Sequence, residues 1–359
     1  MSVSFVTGFP GFIGRRLVQR LLSDDPEARV LALVERRMRE PARRAAAAID
    51  ADRIELLTGD IAQPRLGLEG DEWERLRAEV RYVFHLAAIY NLAVPLAAAQ
   101  RVNVGGTGNV LELCLAADQL ERLVYASTAY VAGRRRGVVY EHELALGQGF
   151  KNHYEATKFQ AEVWVRELTD RVPTVILRPA IVVGDSRTGE TEKFDGPYYL
   201  LRAIARAHAS GRAIPQFGRS EAAFNVVPVD YVVGAAAVAA ADPAMSGETL
   251  HLVDPNPLST HRLVAVLSAA YAGRPPAGSI PPSLVAASLR LGPVRGLFGG
   301  TPHQSIPYLN HPVVFDPRRA LTLLEPHGLR PPAFGDYAGA MVEFFRRNEQ
   351  NPAFAPAPL

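Results

Sequence analysis

The amino-acid sequence predicts an α/β fold with a doubly wound parallel sheet. In the first half of the chain, short β-branched or aliphatic runs alternate with amphipathic segments, which is the pattern of repeated βαβ units. In the amphipathic segments, such as 11–22 and 104–116, apolar residues recur three and four positions apart, as on one face of a helix. Strands are predicted at 4–7, 30–34, 54–59, 82–86, 122–127, 174–178 and 249–253.

Composition and charge narrow the class of protein. The chain has 359 residues, 48% of them hydrophobic, which suffices for about two domains with real cores. Lys and Arg (39) nearly balance Asp and Glu (37), so we expect neither a nucleic-acid groove nor a polybasic membrane anchor. The longest apolar run, 232–241, is shorter than the roughly 20 residues of a membrane span and predicts a buried helix. No signal peptide is expected before the first strand.

Cysteine and histidine usage excludes two further kinds of site. The single cysteine, Cys114, rules out an internal disulfide framework and a multi-cysteine zinc site, and it indicates a reducing, cytoplasmic location. No histidine pair has metal-ligand spacing with supporting carboxylates, so no metal is predicted.

Three glycines follow the first predicted strand. Gly8, Gly11 and Gly14 in TGFPGFIG lie where a strand turns into a helix, an arrangement that allows a tight turn and close approach of the backbone to a pyrophosphate. An ordinary strand-to-helix turn is the alternative. The order of strand, glycines, helix and second strand favours a dinucleotide-binding, Rossmann-type domain.

The end of the second strand bears on the choice between NAD(H) and NADP(H). Glu35 in LALVERR occupies the position from which an acid binds both ribose hydroxyls and repels a 2′-phosphate. Arg36 and Arg37 follow at once, and with Arg15 they would pair with that phosphate, unless they belong to a solvated loop. Asp60, after the third strand, is placed to bind the adenine amino group or to cap the strand end.

The second half of the chain predicts a smaller, discontinuous α/β domain that binds substrate. The pattern becomes irregular after residue 184, as in long functional loops, and a strand and an apolar helix return within 224–241. We therefore predict a nucleotide-binding domain from 1–183 and 222–255 and a substrate-binding domain from 184–221 and 256–359. The segment 281–300 is predicted as a core helix of that second domain or, alternatively, as a lid on the lipid side.

Tyr154 and Lys158 form a Tyr-x-x-x-Lys motif in a segment predicted as helix, so both side chains project from one face. With 12 tyrosines and three lysines in the chain, chance predicts about 0.1 such motifs. The ammonium of Lys158 would lower the phenol pKa of Tyr154, which could then donate and accept a proton near neutral pH. A helical surface pair is the structural alternative.

Two hydroxyl residues, Ser127 and Thr128, end the fifth predicted strand. They lie at the edge where open α/β sheets bind their ligands. Either hydroxyl can hydrogen-bond a reacting carbonyl oxygen or cap a turn, and we favour Thr128 as the catalytic hydroxyl.

The order of these motifs resembles that of the extended short-chain dehydrogenase/reductase family. The resemblance rests on GFPGFIG, GDI, HLAA (85–88), Asn103 in VNVGGT, the Ser-Thr pair, YEATK and LRP (177–179), and it covers the whole first domain. Four softer segments, HLAAIYNLAVP, STAYVAG, GFKNHYEATK and YLNHPVVFD, are similar to the fatty acyl-CoA reductase and thioester reductase branch.

The resemblance implies roles for individual residues. Thr128, Tyr154 and Lys158 would be the catalytic trio, with Asn103 as a helper through a water. The branch commonly uses NADP(H) with arginine at the position of Glu35, so NADP(H) is favoured and NAD(H) stays open. The residues that would line the cofactor are Gly8, Gly11, Phe12, Ile13, Gly14, Glu35, Arg36, Asp60, Ile61, Ala87, Ala88, Tyr154, Lys158 and Pro179.

The function that the resemblance implies is NADPH-dependent reduction of an acyl thioester to an aldehyde, and in a second step to an alcohol. The acyl group would be carried on coenzyme A or a carrier protein. The basic run 134–136 would meet the phosphates of coenzyme A or an acidic carrier protein, unless that run is a solvated loop. A homodimer is expected from the resemblance alone. Alternatives are an alcohol or sterol dehydrogenase, or a sugar-nucleotide epimerase or dehydratase, and outside enzymes a nucleotide-sensing regulator.

Overall fold

The computed structural model describes residues 2–91, 93–214, 216, 222–278, 306–309 and 311–355. The first elements along the chain are β1 (Val3–Thr7), α1 (Phe12–Asp24), β2 (Arg29–Val34), α2 (Arg39–Ile49), β3 (Ile54–Thr58), α3 (Gly70–Glu79), β4 (Tyr82–His85), α4 (Leu96–Ala99), a π-helical turn (Gln100–Gly105), α5 (Gly106–Ala116) and β5 (Arg122–Ala126). The segment 281–300, predicted as a lid or a core helix, lies outside the described residues.

The second part of the chain adds shorter strands and further helices. In order, these are β6 (Gly137–Val139), α6 (His153–Glu167), β7 (Thr174–Pro179), β8 (Ile181–Val183), α7 (Tyr198–Ala209), β9 (Val226–Pro228), α8 (Val229–Ala241), β10 (Thr249–Leu252), α9 (Thr260–Ala272), α10 (Ile306–Leu309), β11 (Val313–Phe315), α11 (Arg318–Leu324) and α12 (Phe334–Asn348). Within the described ranges, no helix is long and apolar enough to cross a membrane.

Seven parallel strands form one sheet in the order β10-β7-β5-β4-β1-β2-β3. The chain runs outward from β1 to β3 on one side and from β4 to β10 on the other, so the strand order reverses between β1 and β4. In open α/β sheets such a reversal opens a crevice at the carboxyl ends of the strands, where ligands bind. The predicted parallel, doubly wound sheet is confirmed, and its strand ends differ from the predicted ones by one residue.

Helices cover both faces of the sheet, because side chains of each strand point alternately to the two sides. Phe5 of β1 packs in one core with Val165 of α6. Its neighbour Val6 packs in the other core with Leu17 of α1 and Ala235 of α8. The apolar run that predicts a buried helix forms most of α8, whose residues are nearly all buried.

Two short parallel pairs lie outside the main sheet, β6 with β11 and β8 with β9. β11 comes three residues after α10, whereas β6 comes ten residues after β5. The pairing therefore brings residues 313–315 next to the segment that leaves the carboxyl end of β5. The division of the chain into two domains stays a prediction.

Candidate active site

The glycine loop after β1 has the backbone geometry of a pyrophosphate site. Gly8 has a φ of +94°, and a Cβ there would lie 3.0 Å from the amide nitrogen of Ala87. A Cβ on Gly14 would lie 2.5 Å from the carbonyl oxygen of Gly8, so only glycine lets α1 approach β1 this closely. Gly11 precedes α1, and among the described residues no side chain caps it there. These residues fit a dinucleotide, whose phosphates the N–H groups at the start of α1 would bind.

The other predicted contacts near the phosphates lie around the same crevice. Phe12 and Ile13 form the first turn of α1 and are half-buried, and Ala87 and Ala88 follow β4 with similar exposure. The hydroxyl of Thr7 accepts a hydrogen bond from the amide of Ala87 at 3.2 Å, which fixes the segment after β4 beside the glycine loop. The structure thus brings these four residues together where the strand order reverses.

Glu35, the acidic residue directly after β2, is hydrogen-bonded by a neighbouring arginine. Arg37 donates two hydrogen bonds to the carboxylate of Glu35, at 2.6 and 3.2 Å. Arg36 between them is exposed and has no ion-pair partner in the described part of the chain. Asp60 and the buried Ile61 follow β3, and the carboxylate of Asp60 accepts a backbone N–H two residues on at 2.8 Å.

Arg15, the residue after the last glycine, pairs with an acidic loop. Its guanidinium lies 3.2 Å from Glu192 and 3.7 Å from Glu190. The neighbouring Arg16 pairs with Asp185 at 3.1 Å. These ion pairs join the loop 185–192 to the start of α1, and the predicted contact of Arg15 with the 2′-phosphate stays a prediction.

The helix α6 carries both residues of the Tyr-x-x-x-Lys motif. Asn152 caps the helix, because its side chain accepts the N–H of Glu155 at 3.0 Å. Tyr154 therefore lies in the first turn, and Lys158 lies one turn further on the same face. This face meets the carboxyl end of β5.

The ammonium of Lys158 is buried against β5. The residue is 2% exposed, and its Nζ donates to the hydroxyl of Tyr125 at 2.8 Å and to the backbone oxygen of Ala126 at 2.6 Å. Burial lowers the pKa of Lys158 to about 7, although the carboxylate of Glu162 opposes the shift.

The hydroxyl of Tyr154 lies near that of Thr128. Burial raises the pKa of Tyr154 to about 12, and the neighbouring hydroxyl of Thr128 offsets this only in part. The prediction that Lys158 lowers this pKa is wrong for this arrangement, because burial dominates and the ammonium contacts Tyr125 instead. At neutral pH Tyr154 is a protonated phenol that can donate its proton.

The two hydroxyls at the end of β5 have different partners. Ser127 donates to the carboxylate of Glu162 at 2.5 Å, and Glu162 also pairs with Arg178 at 2.6 Å in a fully buried cluster. Thr128 contacts backbone only weakly, accepting the N–H of Tyr130 at 3.3 Å and lying 3.5 Å from the backbone oxygen of Pro179. Of the two, Thr128 is the one next to Tyr154.

Asn103 serves as a tether in this structure. It lies in the π-helical turn before α5, and its Oδ1 accepts the N–H of Ile89 at 2.8 Å. Its Nδ2 donates to the backbone oxygen of Ile89 and to the hydroxyl of Thr157, both at 3.1 Å. The side chain therefore joins the segment after β4 to α6.

A buried charged cluster beside Tyr154 was not predicted from the sequence. Lys151 lies 2.8 Å from Glu155, and the hydroxyl of Tyr308 donates to Glu155 at 2.7 Å. Asn152 donates to the same hydroxyl at 2.7 Å, so α10 is tied to the start of α6. The only sequence features that pointed to this cluster were the polar segment before YEATK and the motif YLNHPVVFD.

Among the described residues, no three His, Cys, Asp or Glu side chains are grouped to hold a metal ion.

The sheet order, the glycine loop and the Tyr-x-x-x-Lys helix together define a class of protein, the NAD(P)-dependent oxidoreductases of the extended short-chain dehydrogenase/reductase type. The chain belongs to the family described as Male sterility protein, whose model matches residues 6–236, well over half of the chain. The resemblance predicted from the motifs is confirmed.

Several curated relatives are large synthetases. The chain is 28% identical over 290 residues to the isonitrile lipopeptide synthase of Mycobacterium tuberculosis, covering 70% of this chain and 11% of that protein. It is 32% identical over 224 residues to D-lysergyl-peptide-synthetase subunit 3 of Claviceps purpurea, covering 58% of this chain and 12% of that protein. The fatty acyl-CoA reductase wat of Drosophila melanogaster is 26% identical over 281 residues, 66% of this chain and 54% of that protein. The chain thus spans about one tenth of the two synthetases.

Solved structures share the architecture. The terminal R domain from the myxalamid PKS-NRPS biosynthetic pathway superposes with a TM-score of 0.81 at 25% identity, covering 98% of this chain and 92% of that one. UDP-glucuronic acid 4-epimerase from Bacillus cereus, in complex with NAD, superposes with a TM-score of 0.67 at 17% identity, covering 96% of this chain and 97% of that one. The second likeness is one of fold alone.

Proposed function

We propose that this chain reduces acyl thioesters with a nicotinamide cofactor. The observation that carries the proposal is the grouping of Thr128, Tyr154 and Lys158 at the carboxyl end of β5. The similarity to a terminal R domain and to a fatty acyl-CoA reductase favours a thioester over other carbonyl compounds.

The glycine loop would hold the phosphates of the cofactor, Asp60 the adenine and Lys158 the nicotinamide ribose. The bound nicotinamide supplies the hydride that reduces the thioester carbonyl carbon. Thr128 and Tyr154 donate hydrogen bonds to the carbonyl oxygen as negative charge develops on it. Tyr154 then transfers its proton to that oxygen, which yields a hemithioacetal. When the C–S bond breaks, the hydroxyl proton passes to the sulfur, and an aldehyde and a thiol leave.

NADP(H) is the cofactor that we propose, with NAD(H) as the competitor. Glu35 by itself would repel a 2′-phosphate, but Arg37 donates two hydrogen bonds to its carboxylate and offsets that charge. The exposed Arg36 beside it provides a cation for the phosphate. The carboxylate of Glu35 directly after β2, where an acid binds the ribose hydroxyls, is the observation that favours NAD(H), and with it an alcohol dehydrogenase or a sugar-nucleotide epimerase as the second candidate.

The basic segment 134–136 would bind the phosphates of coenzyme A or of a carrier protein's pantetheine arm. Arg134 is held against the segment before α6 by a bond from its Nε to the backbone oxygen of Phe150 at 2.9 Å. Arg136 is exposed, whereas Arg135 pairs with Glu143 at 2.6 Å. From residue 150 to Tyr154 the chain can span at most about 14 Å. We therefore infer that Arg134, with the exposed Arg136 two residues on, is available to these phosphates.

The proposal is tested by following the absorbance of NADPH, and separately of NADH, with medium- and long-chain acyl-CoA thioesters. We expect oxidation of NADPH with release of thiol, and its loss in Tyr154→Phe. If neither cofactor is consumed while alcohols or sterols reduce NAD or NADP, the thioester assignment is wrong and the dehydrogenase takes its place. A Tyr154→Phe protein with unchanged biological output would instead favour the nucleotide-sensing regulator.

A further inference from the structure

A buried polar chain leads from Lys158 to the strand that precedes the glycine loop. Lys158 Nζ lies 2.8 Å from the hydroxyl of Tyr125, and the hydroxyl of Thr107 lies near that of Tyr125. Thr107 Oγ1 lies 3.0 Å from His85 Nε2, and His85 Nδ1 lies 2.8 Å from the hydroxyl of Thr7. All five residues are buried, and they come from α6, β5, α5, β4 and β1.

The hydrogen-bond donors and acceptors of these five side chains are consistent with a single direction of donation along the row. In its protonated form Lys158 can only donate, so the hydroxyl of Tyr125 accepts from it, and Thr107 is the nearby hydroxyl toward which the proton of Tyr125 can turn. Thr107 in turn donates to the backbone oxygen of Asn103 at 2.7 Å. Since the hydroxyl proton of Thr107 is used there, its oxygen accepts from His85 Nε2–H, and this fixes the His85 tautomer.

The charge states agree with this direction. Burial raises the pKa of Tyr125 well above its usual value, so its hydroxyl keeps its proton. Burial, with Lys158 nearby, lowers the pKa of His85 to about 3, so the imidazole is neutral and has one acceptor nitrogen. That nitrogen accepts the hydroxyl proton of Thr7, whose oxygen is already an acceptor for the amide of Ala87.

We propose that Tyr125 is a positioning residue for Lys158. Its hydroxyl accepts from the ammonium, and its ring lies beneath the same group, with the centroid 4.2 Å from Nζ. Thr107, which is bonded to His85 and to the backbone oxygen of Asn103, lies near this hydroxyl and acts to lower its pKa. This proposal rests on the proposed function at one point, because there Lys158 holds the nicotinamide ribose of the cofactor.

The titratable groups around Lys158 set the expected effect of removing this hydroxyl. Glu162 and Tyr154 face it from its own helix, Tyr125 from β5 and His85 from β4. Only Glu162 among them carries a charge at neutral pH. Because a hydrogen bond to the charged form favours that form, Tyr125→Phe lowers the pKa of Lys158 by about one pH unit or more.

The chain has only three lysines, Lys151, Lys158 and Lys193, so each side chain can be followed by NMR after lysine-specific 13C and 15N labelling. Signals are assigned with Lys151→Arg and Lys193→Arg. We expect the titration of Lys158 in Tyr125→Phe to move down by about one pH unit or more. The matched control is Tyr337→Phe, which removes another buried hydroxyl, bonded to a backbone oxygen at 3.3 Å, and leaves the titration in place.

An unchanged Lys158 titration in a folded Tyr125→Phe protein overturns the proposal. If that variant does not fold, Thr107→Val serves instead, because it leaves Tyr125 in place and removes the polar neighbour of its hydroxyl, and it is expected to shift the titration in the same direction. The measurement needs neither cofactor nor substrate, so it stands or fails separately from thioester reduction. A shifted titration in a protein that reduces no thioester would refute the proposed function and keep the positioning role.

Discussion

Ser127 donates its hydroxyl proton to Glu162 at 2.5 Å, while the next hydroxyl along the chain, that of Thr128, lies near the hydroxyl of Tyr154. Glu162 is fully buried and pairs with Arg178, and these contacts outweigh the effect of burial and lower the pKa of its carboxyl. Two neighbouring residues of the same chemistry are thus divided between the core and the candidate site.

Replacing each hydroxyl separately distinguishes the two roles. We expect Thr128→Ala to lower kcat for an acyl thioester by about 10²–10³-fold, because one donor to the developing oxyanion is lost. Ser127→Ala is expected to lower the free energy of unfolding by about 1–3 kcal/mol, since Glu162 loses a buried donor, with kcat changed far less. Steady-state kinetics and urea denaturation measure both, and equal losses of kcat would contradict the division.

Lys158 makes the free energy of unfolding depend on pH in a defined window. Its pKa is about 7 in the folded chain and near 10.5 when unfolded, so between these values the unfolded chain binds more protons. The stability contributed by this residue therefore rises with pH from about 7 to 10.5 and is lost as the pH falls through 7. We expect Lys158→Met to flatten the curve in that window. The free energy of unfolding is measured by urea denaturation at each pH. If it depends on pH in the same way in both proteins, Lys158 is not a buried lysine with a lowered pKa.

The glycine loop should not tolerate a methyl group. A Cβ on Gly14 would meet the carbonyl oxygen of Gly8 at 2.5 Å, so we expect Gly14→Ala to weaken NADPH binding at least about tenfold and to lower Tm. Gly339→Ala in α12 is the matched control, because its Cβ would have no heavy atom within 4 Å. Titration calorimetry and thermal denaturation test this, and native affinity in Gly14→Ala would refute the tight approach.

The pair formed by Glu35 and Arg37 should influence the choice of cofactor. Arg37→Ala leaves Glu35 uncompensated, so we expect the KM for NADPH to rise about tenfold, with that for NADH nearly unchanged. Arg36→Ala should act in the same direction by removing the cation next to the phosphate. Glu35→Ala is the complementary variant and should improve NADPH use. If Arg37→Ala affects both cofactors alike, the pair acts on the loop structure only.

The two available arginines before β6 should matter only for substrates that carry phosphate. We expect the Arg134→Ser, Arg136→Ser double variant to raise the KM for an acyl-CoA several-fold and to leave a short pantetheine thioester without phosphate unaffected. Arg135→Ser is the control, since that side chain already pairs with Glu143. Equal effects on both substrates would exclude a phosphate contact.

Local sequence patterns were sufficient for the sheet and the two motifs but not for the electrostatics between them. The strands are buried on both faces, so they are continuous apolar runs whose limits are visible in the sequence. The partner of Ser127 lies 35 residues away and that of Lys158 lies 33 residues away, on other elements. No local pattern reports such contacts. The raised pKa of Tyr154 likewise results from burial by the assembled fold.

The hydrogen bonds of Tyr308 at the start of α6 bear on how short a fragment of this chain can be and still keep the candidate site intact. The family match ends at residue 236, yet Tyr308 holds Glu155 and Asn152 on either side of Tyr154. β11, a few residues later, also pairs with β6. A fragment excised at the family boundaries would retain the glycine loop and the Tyr-x-x-x-Lys helix but lose Tyr308 and its bonds to Asn152 and Glu155. A shortened version of this chain that keeps these bonds and the pairing of β6 with β11 must therefore extend at least to residue 315.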